Sequence, residues 1–113
     1  MVAIDDFTKL DIRVVKVISS SRMEGSDKLL RLNVEIGVDD NHQAITRQII
    51  SGIGKSYEAE SMVGQQLIAI VNLESRKMMG EESQGMILAT GESIENITLI
   101  KPDKAVETGS TVR

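Results

Sequence analysis

Arg76 and Lys77 stand side by side in a polar stretch, Val71 to Thr90, that reads VNLESRKMMGEESQGMILAT. An apolar strand runs into Asn72, and a second strand, Met86 to Ala89, closes the unit. Adjacent cations on a turn of this kind suit one task, the neutralisation of phosphates. Binding residues concentrate on loops held by rigid scaffolds, although surface charges also occur on ordinary solvated turns. Lys28, Arg31 and Arg47 are the other cations placed to join such a patch.

No other chemistry is legible. His42 is the single histidine and cysteine is absent, so no triad and no thiolate metal site can be assembled. The turn Asp39-Asp40-Asn41 before His42 is a poor cation site, because a bound metal needs several converging ligands. No HExxH, GxSxG or P-loop pattern occurs. The expectation is a non-enzymatic chain with no catalytic residue, no metal and no cofactor.

The bulk numbers narrow the rest. The chain has 113 residues, which predicts one domain over 1–113. No run approaches the roughly 18 apolar residues that span a bilayer, and the N-terminus lacks a signal-peptide pattern. A soluble cytoplasmic protein without membrane contact is expected. Its 13 basic and 17 acidic residues give a formal charge of -4. A general nucleic-acid binder carries a basic balance, so any RNA contact here must be a local, salt-sensitive patch. Phe7 and Tyr57 are the only aromatics, too few to build a stacking platform for single strands.

The elements that must position these cations are mostly strands. Leu10, Ile12 and Val14 alternate, then the apolar set moves to Val15 and Val17; this predicts a first strand with a β-bulge near Val14-Val15. Leu30, Leu32, Val34 and Ile36 alternate with polar residues as a half-buried second strand. The third covers about Gln43 to Ile50, with two mixed faces. Ser51 to Gly64 breaks the pattern; Ile53, Tyr57, Met62 and Val63 line one side of a short helical insert that stops at Gly64. Leu67 to Val71 is apolar throughout and predicts a fourth strand covered on both faces. Met86 to Thr90 is the fifth, Ile97 to Ile100 is a further strand, and a weak apolar tail follows. With Leu67 to Val71 covered on both faces, the Ile97 to Val112 stretch predicts a homodimer that buries this tail against a second copy. Five strands with a helical insert between the third and fourth predict an all-β, OB-fold barrel with a C-terminal strand extension. In that fold the face of strands 2 and 3, with the loops joining strands 1–2 and 4–5, is the usual binding surface. All five named cations fall on those elements.

Several segments carry a resemblance: LDIRV (10–14), Asp27-Lys28-Leu29, RQIISGI (47–53), Val71-Asn72-Leu73, RKMMG (76–80) and SQGMILA (83–89). In order and spacing they resemble the tRNA-binding domains attached to methionyl-tRNA synthetase. Free-standing members of that family include structure-specific tRNA-binding proteins and a secretion-associated chaperone. The resemblance implies an OB-fold, a homodimer, and recognition of folded tRNA by shape and backbone, alone or with methionyl-tRNA synthetase. Shape reading agrees with the scarcity of aromatics. It implies a tRNA site of Lys28, Arg31, Arg47, Arg76 and Lys77 on phosphates, with Asn72, Ser83 and Gln84 ordering the loop or bonding the RNA backbone. Met78 and Met86 serve as packing or adaptable apolar contacts, packing being the expected role of Met86. The alternative reading is a peptide-binding chaperone that uses these methionines. The chain departs from the family pattern at Val15, where glycine is usual. It departs again at Met23 to Ser26, in place of His-Pro-Asn-Ala, and at Glu74-Ser75, in place of Lys-Pro before Arg76. The loss of a cation at Glu74 implies weaker RNA affinity.

Overall fold

The computed structural model describes residues 1–113. In chain order the elements are α1 (Ile4–Thr8), β1 (Ile12–Arg22), β2 (Leu30–Val38), β3 (Ala44–Ser51), α2 (Ala59–Met62), β4 (Gln66–Ile70), β5 (Arg76–Met78), β6 (Glu81–Ser83), β7 (Met86–Ile87), β8 (Ala89–Thr90) and β9 (Thr98–Leu99). Five strands make one antiparallel sheet in the order β3-β2-β1-β4-β7, curled into a half-barrel. β5 pairs only with β6, and β8 only with β9.

The inner face of the sheet holds the main core. Val15 and Val17, then Leu30, Leu32 and Val34, meet Ile49, Leu67 and Ala69 there, nearly all without solvent contact. The mixed faces of β3 are resolved by pairing: Val34 lies opposite Arg47 and Leu32 opposite Ile49, so Ile45, Arg47 and Ile49 share the inward face.

The expected bulge at Val14-Val15 is absent. β1 and β4 pair without interruption from Ile12 opposite Ile70 to Lys16 opposite Gln66. The apolar set changes phase because β1 is buried on both faces. Val15 and Val17 point into the main core, while Ile12 and Val14 join Ile68 and Ile70 in a second cluster outside. The register shift lies further on, between Val17 and Ser19 against β2.

That outer cluster also shows what covers the far face of β4. Leu88 and Val112 pack on it, and the C-terminal segment is laced to β1 by hydrogen bonds from Val14 N–H to Ser110 O (2.9 Å), Gly109 N–H to Val14 O (2.7 Å) and Val112 N–H to Ile12 O (2.8 Å). The tail therefore closes over its own chain, where the apolar pattern alone left room for a second copy.

The fifth strand is split. β7 pairs with β4 and β8 with β9. In the stretch between β3 and β4, α2 buries Ala59 and Met62. Val63, expected beside them, is exposed. Gly64 follows in the left-handed region (φ +85), a conformation that favours glycine.

β3 is a sheet edge whose outward amides need partners. Side chains supply them: Gln84 Oε1 accepts from Gln48 N–H (2.9 Å), and Ser83 Oγ accepts from Ile50 N–H (3.0 Å). Gln84 N–H returns a bond to Gln48 O (2.7 Å). A buried amide left unpaired costs about 1–3 kcal/mol, so Ser83 and Gln84 seal this edge of the half-barrel.

Candidate nucleic-acid interface

β5 and β6 form a hairpin that lies over the outer face of β2 and β3. Its two-residue turn, Met79-Gly80, has φ of +51 and +84, the pattern of a type I′ turn, whose hand matches the strand twist. Methionine at the first turn position is unusual, since L-residues pay roughly 1–2 kcal/mol in this region. Met79 is exposed, and its Cε lies 3.4 Å from where a Cβ on Gly25 would stand, so the tip rests against the loop between β1 and β2.

Three contacts hold the hairpin down. Arg31 clasps Glu81 with two guanidinium donors, one from Nε at 2.7 Å and one from the terminal nitrogen, and gives a third bond to Ser21 Oγ at 2.8 Å. Met78 packs on Met23, Leu29 and Ile50. Ser83, 1 % exposed, bonds Ile50 N–H and donates to Gly85 O. A bidentate arginine–carboxylate pair fixes geometry as well as charge. Its hydrogen bonds hold the Glu81 carboxyl below the ordinary glutamate range and push the Arg31 guanidinium up.

Strand alternation then sorts the cations. Arg76, Met78, Glu81 and Ser83 share the hairpin face that meets the sheet, while Lys77 and Glu82 share the opposite one. Neighbours in sequence, Arg76 and Lys77 thus project to opposite sides. Both are exposed and in no ion pair; Lys28 is likewise exposed and unpaired, in the loop beneath the hairpin tip. Arg31 is committed to Glu81. Arg47 lies on the inward face, half-buried, with its guanidinium on Thr46 O (2.9 Å). The structure therefore leaves Lys28, Arg76 and Lys77 exposed on or beside the hairpin, Lys28 in the loop below its tip and Arg76 and Lys77 on its two faces, and sets Arg31 and Arg47 to other tasks.

The polar residues of the predicted site are ordering groups here. Asn72 Oδ1 accepts from Asp11 N–H (2.8 Å) and its Nδ2 donates to Lys9 O (2.9 Å), tying the start of the stretch to the N-terminal segment. Ser83 and Gln84 seal β3. Of the two roles open to Met78 it takes packing, while Met86, expected to pack, is paired with Ile70 on the outer side of β7 and is 40 % exposed. With Leu73, Glu74 and Arg76 it lines an opening of about 410 Å³.

Sequence reasoning passed over two side chains that position this corner, Arg22 and Glu81. Arg22 donates to Asp27 O and Gly54 O (both 3.0 Å), which shapes the loop carrying Lys28. Glu81, which holds Arg31, carries no signal in the sequence beyond its charge. Arg13, at the other end of β1, forks onto Asp11 at 2.9 Å and reaches Ile36 O at 3.0 Å, and so ties that end of the sheet rather than the corner. Cross-strand offsets would have found Glu81 only once the I′ turn was placed at Met79-Gly80.

Residues 12–111 match the family described as "Putative tRNA binding domain". The chain belongs to this tRNA-binding domain family. A methionine–tRNA ligase of Caldanaerobacter subterraneus subsp. tengcongensis is 40 % identical over 112 residues, 98 % of this chain but 16 % of that enzyme. A methionyl-tRNA-synthetase-related protein from Pyrococcus horikoshii has the same fold, with TM-score 0.86 and 28 % identity over 100 % of this chain and 98 % of that one. The chaperone CsaA of Bacillus anthracis shares the fold at TM-score 0.85 and 24 % identity, over 100 % of this chain and 99 % of that one. The chain spans about a sixth of the length of the curated relatives it matches. No helix is long and apolar enough to cross a membrane.

The Arg31–Glu81 clasp sets a pH dependence for the family's hairpin in this chain. Because Glu81 is lowered on folding, the clasp is complete above the ordinary glutamate pKa of about 4.3. It is lost as pH falls through the lower folded value. Amide signals of Arg76–Ser83, followed by NMR on acidification, should shift together in that acidic range, and Glu81→Gln should remove the step. A wild-type hairpin that titrates like the variant would contradict the clasp.

Proposed function

We propose that the chain is a non-catalytic tRNA-binding module. It takes folded tRNA by backbone and shape, through the corner formed by the β5–β6 hairpin and the β1–β2 loop. The observation that carries the reading is that a clamped hairpin displays two exposed, unpaired cations, Arg76 and Lys77, above a loop that carries a third, Lys28, in a chain of this family. Glu74 stands on the rim of the same corner and reduces its positive potential. The curled sheet, with β3 sealed by Ser83 and Gln84, fits a single, partly open OB-fold over 1–113, in which α2 is the insert between strands 3 and 4. Working in the cytoplasm beside methionyl-tRNA synthetase, such a module raises the local concentration of tRNA. No cofactor is required.

Reversing Arg76 and Lys77 together to Glu should abolish tRNA binding without unfolding the sheet. The double Ala change should weaken binding and flatten the dependence on log salt by about two units, roughly one for each phosphate contact. Unchanged affinity in a folded Glu variant would move the site elsewhere. It would favour the second reading, peptide capture, which the half-exposed Leu73 and Met86 beside their opening support.

A homodimer belongs to the same proposal, on a different surface from the tail. α1 has five residues and buries none of them. Val2 (79 % exposed), Ile4 (72 %), Phe7 (39 %) and Leu10 (40 %) leave an apolar surface open. A helix this short has little stability of its own, and clustered apolar exposure marks association sites. Sedimentation should give a dimer at micromolar concentration, and Ile4→Glu/Phe7→Glu should give a folded monomer. A wild-type monomer would refute this.

A further inference from the structure

Away from the hairpin, a cleft of about 540 Å³ opens between β1, β4 and the C-terminal segment. Lys16, Lys101 and Lys104 line it against one carboxylate, Asp103. This is a concentration of positive charge in a chain whose net charge is -4. The cleft is built by specific bonds. Gln66 donates through Nε2 to Val106 O (2.6 Å) and Thr108 Oγ1 (3.3 Å), and its Oε1 accepts from Val106 N–H (3.1 Å). Gln65 Oε1 accepts from Lys101 Nζ at 2.6 Å and holds that ammonium in place. None of the three lysines is in an ion pair.

Register places this cleft relative to the hairpin. Lys16 lies opposite Glu35, and Ser21 lies opposite Arg31. Residues 31, 33 and 35 of β2 alternate onto one face, so Lys16, Ser19, Ser21, Asn33 and Arg31 all belong to the outer surface of the sheet. From Lys16 to Ser21, the acceptor of the Arg31 bond, β1 advances about 16 Å. Between them the stretch carries Ser19 and Asn33, the exposed Ile18 at the register shift, and one carboxylate, Glu35, unpaired with Lys16. The lysine cleft and the clamped hairpin therefore stand at the two ends of one polar face.

We infer that Lys16, Lys101 and Lys104 form a second phosphate site that takes the sugar-phosphate backbone of the same RNA the hairpin engages. The ligand chemistry is a phosphodiester read as charge. The lining gives a small ligand little to bury, since Ala105 and Val106 are its only hydrophobic residues, whereas small-molecule sites are mainly apolar. The inference rests on the tRNA reading above and extends it: one RNA spans both ends of the face.

The test measures unfractionated tRNA binding across a salt series for the whole chain, Lys16→Ala/Lys104→Ala, Arg76→Ala/Lys77→Ala and the combination. Lys101 is left intact because it also bonds Gln65. The cleft variant should fold as wild type, bind roughly tenfold more weakly and flatten the log-salt slope by about two units. Its losses should add to those of the hairpin variant, as for separate sites. Unchanged affinity and slope in the cleft variant, with the hairpin variant impaired, overturn the second site alone. A wild-type chain that binds no tRNA overturns the reading beneath it, and the inference with it. Inorganic phosphate, titrated against chloride at matched ionic strength, separates the sources. No saturable shift of the Lys101–Val106 amides is expected, and a saturable one reassigns the cleft to a free phosphate ligand and overturns the RNA assignment.

Discussion

A guanidinium on β2 and a carboxylate on β6 share two hydrogen bonds across 50 residues of sequence. That clasp decides where the hairpin lies. β5 and β6 have only each other as strand partners, and an isolated two-stranded hairpin is marginal in water. Arg31 with Glu81, Met78 in its apolar seat, and Ser83 on the edge of β3 convert it into a fixed projection. Fixing matters for binding, because side chains that are already ordered lose less freedom when a ligand arrives. Each cation left over, Lys28, Arg76 or Lys77, is displayed from a frame that other residues hold.

The same division of labour runs through the chain. Of the two roles open to the polar groups in sequence, loop ordering and backbone contact, the structure shows the ordering one: Asn72 ties the N-terminal segment, and Gln84 and Ser83 close the open edge of β3. The C-terminal segment shields the outer apolar strip of β1 and β4 through Val112 and Leu88. Both are partly buried, so each stabilises by less than the roughly 1.5–3 kcal/mol of a fully buried side chain. The polar face between hairpin and tail is what remains open.

The strands and their order were legible because alternation is strong where one face is buried, as in Leu30 to Ile36. β1 misled because it is buried on both faces, and a strand of that kind loses the period-two signal that fixes phase. β3 was ambiguous for the opposite reason: Arg47 sits among inward residues, so its pattern favours neither face. At the candidate site, residue types singled out the stretch that folds as the clamped hairpin, and the family motifs supplied its order. Individual roles were less visible. Arg31 and Arg47 look alike as cations in sequence, yet one is clasped by a carboxylate 50 positions away and the other turns inward. Met78 faces its apolar seat because of a turn at Met79-Gly80 that methionine does not advertise, and Met86 faces outward because it pairs with Ile70 of the outer cluster.

The clasp and the surface charge make opposite predictions for one substitution, Glu81→Gln. Removing an acid from an RNA-binding corner raises its positive potential and, by charge alone, should tighten binding. If the clasp is what presents Arg76 and Lys77, its loss should outweigh that gain. The direct measurement is the affinity of Glu81→Gln for folded tRNA at neutral pH and moderate salt, beside Glu82→Gln, which removes an equal charge from the outward face. The account predicts weaker binding for Glu81→Gln and equal or tighter binding for Glu82→Gln. Tighter binding in both would mean that the hairpin acts through charge alone and that its anchoring has no part in recognition.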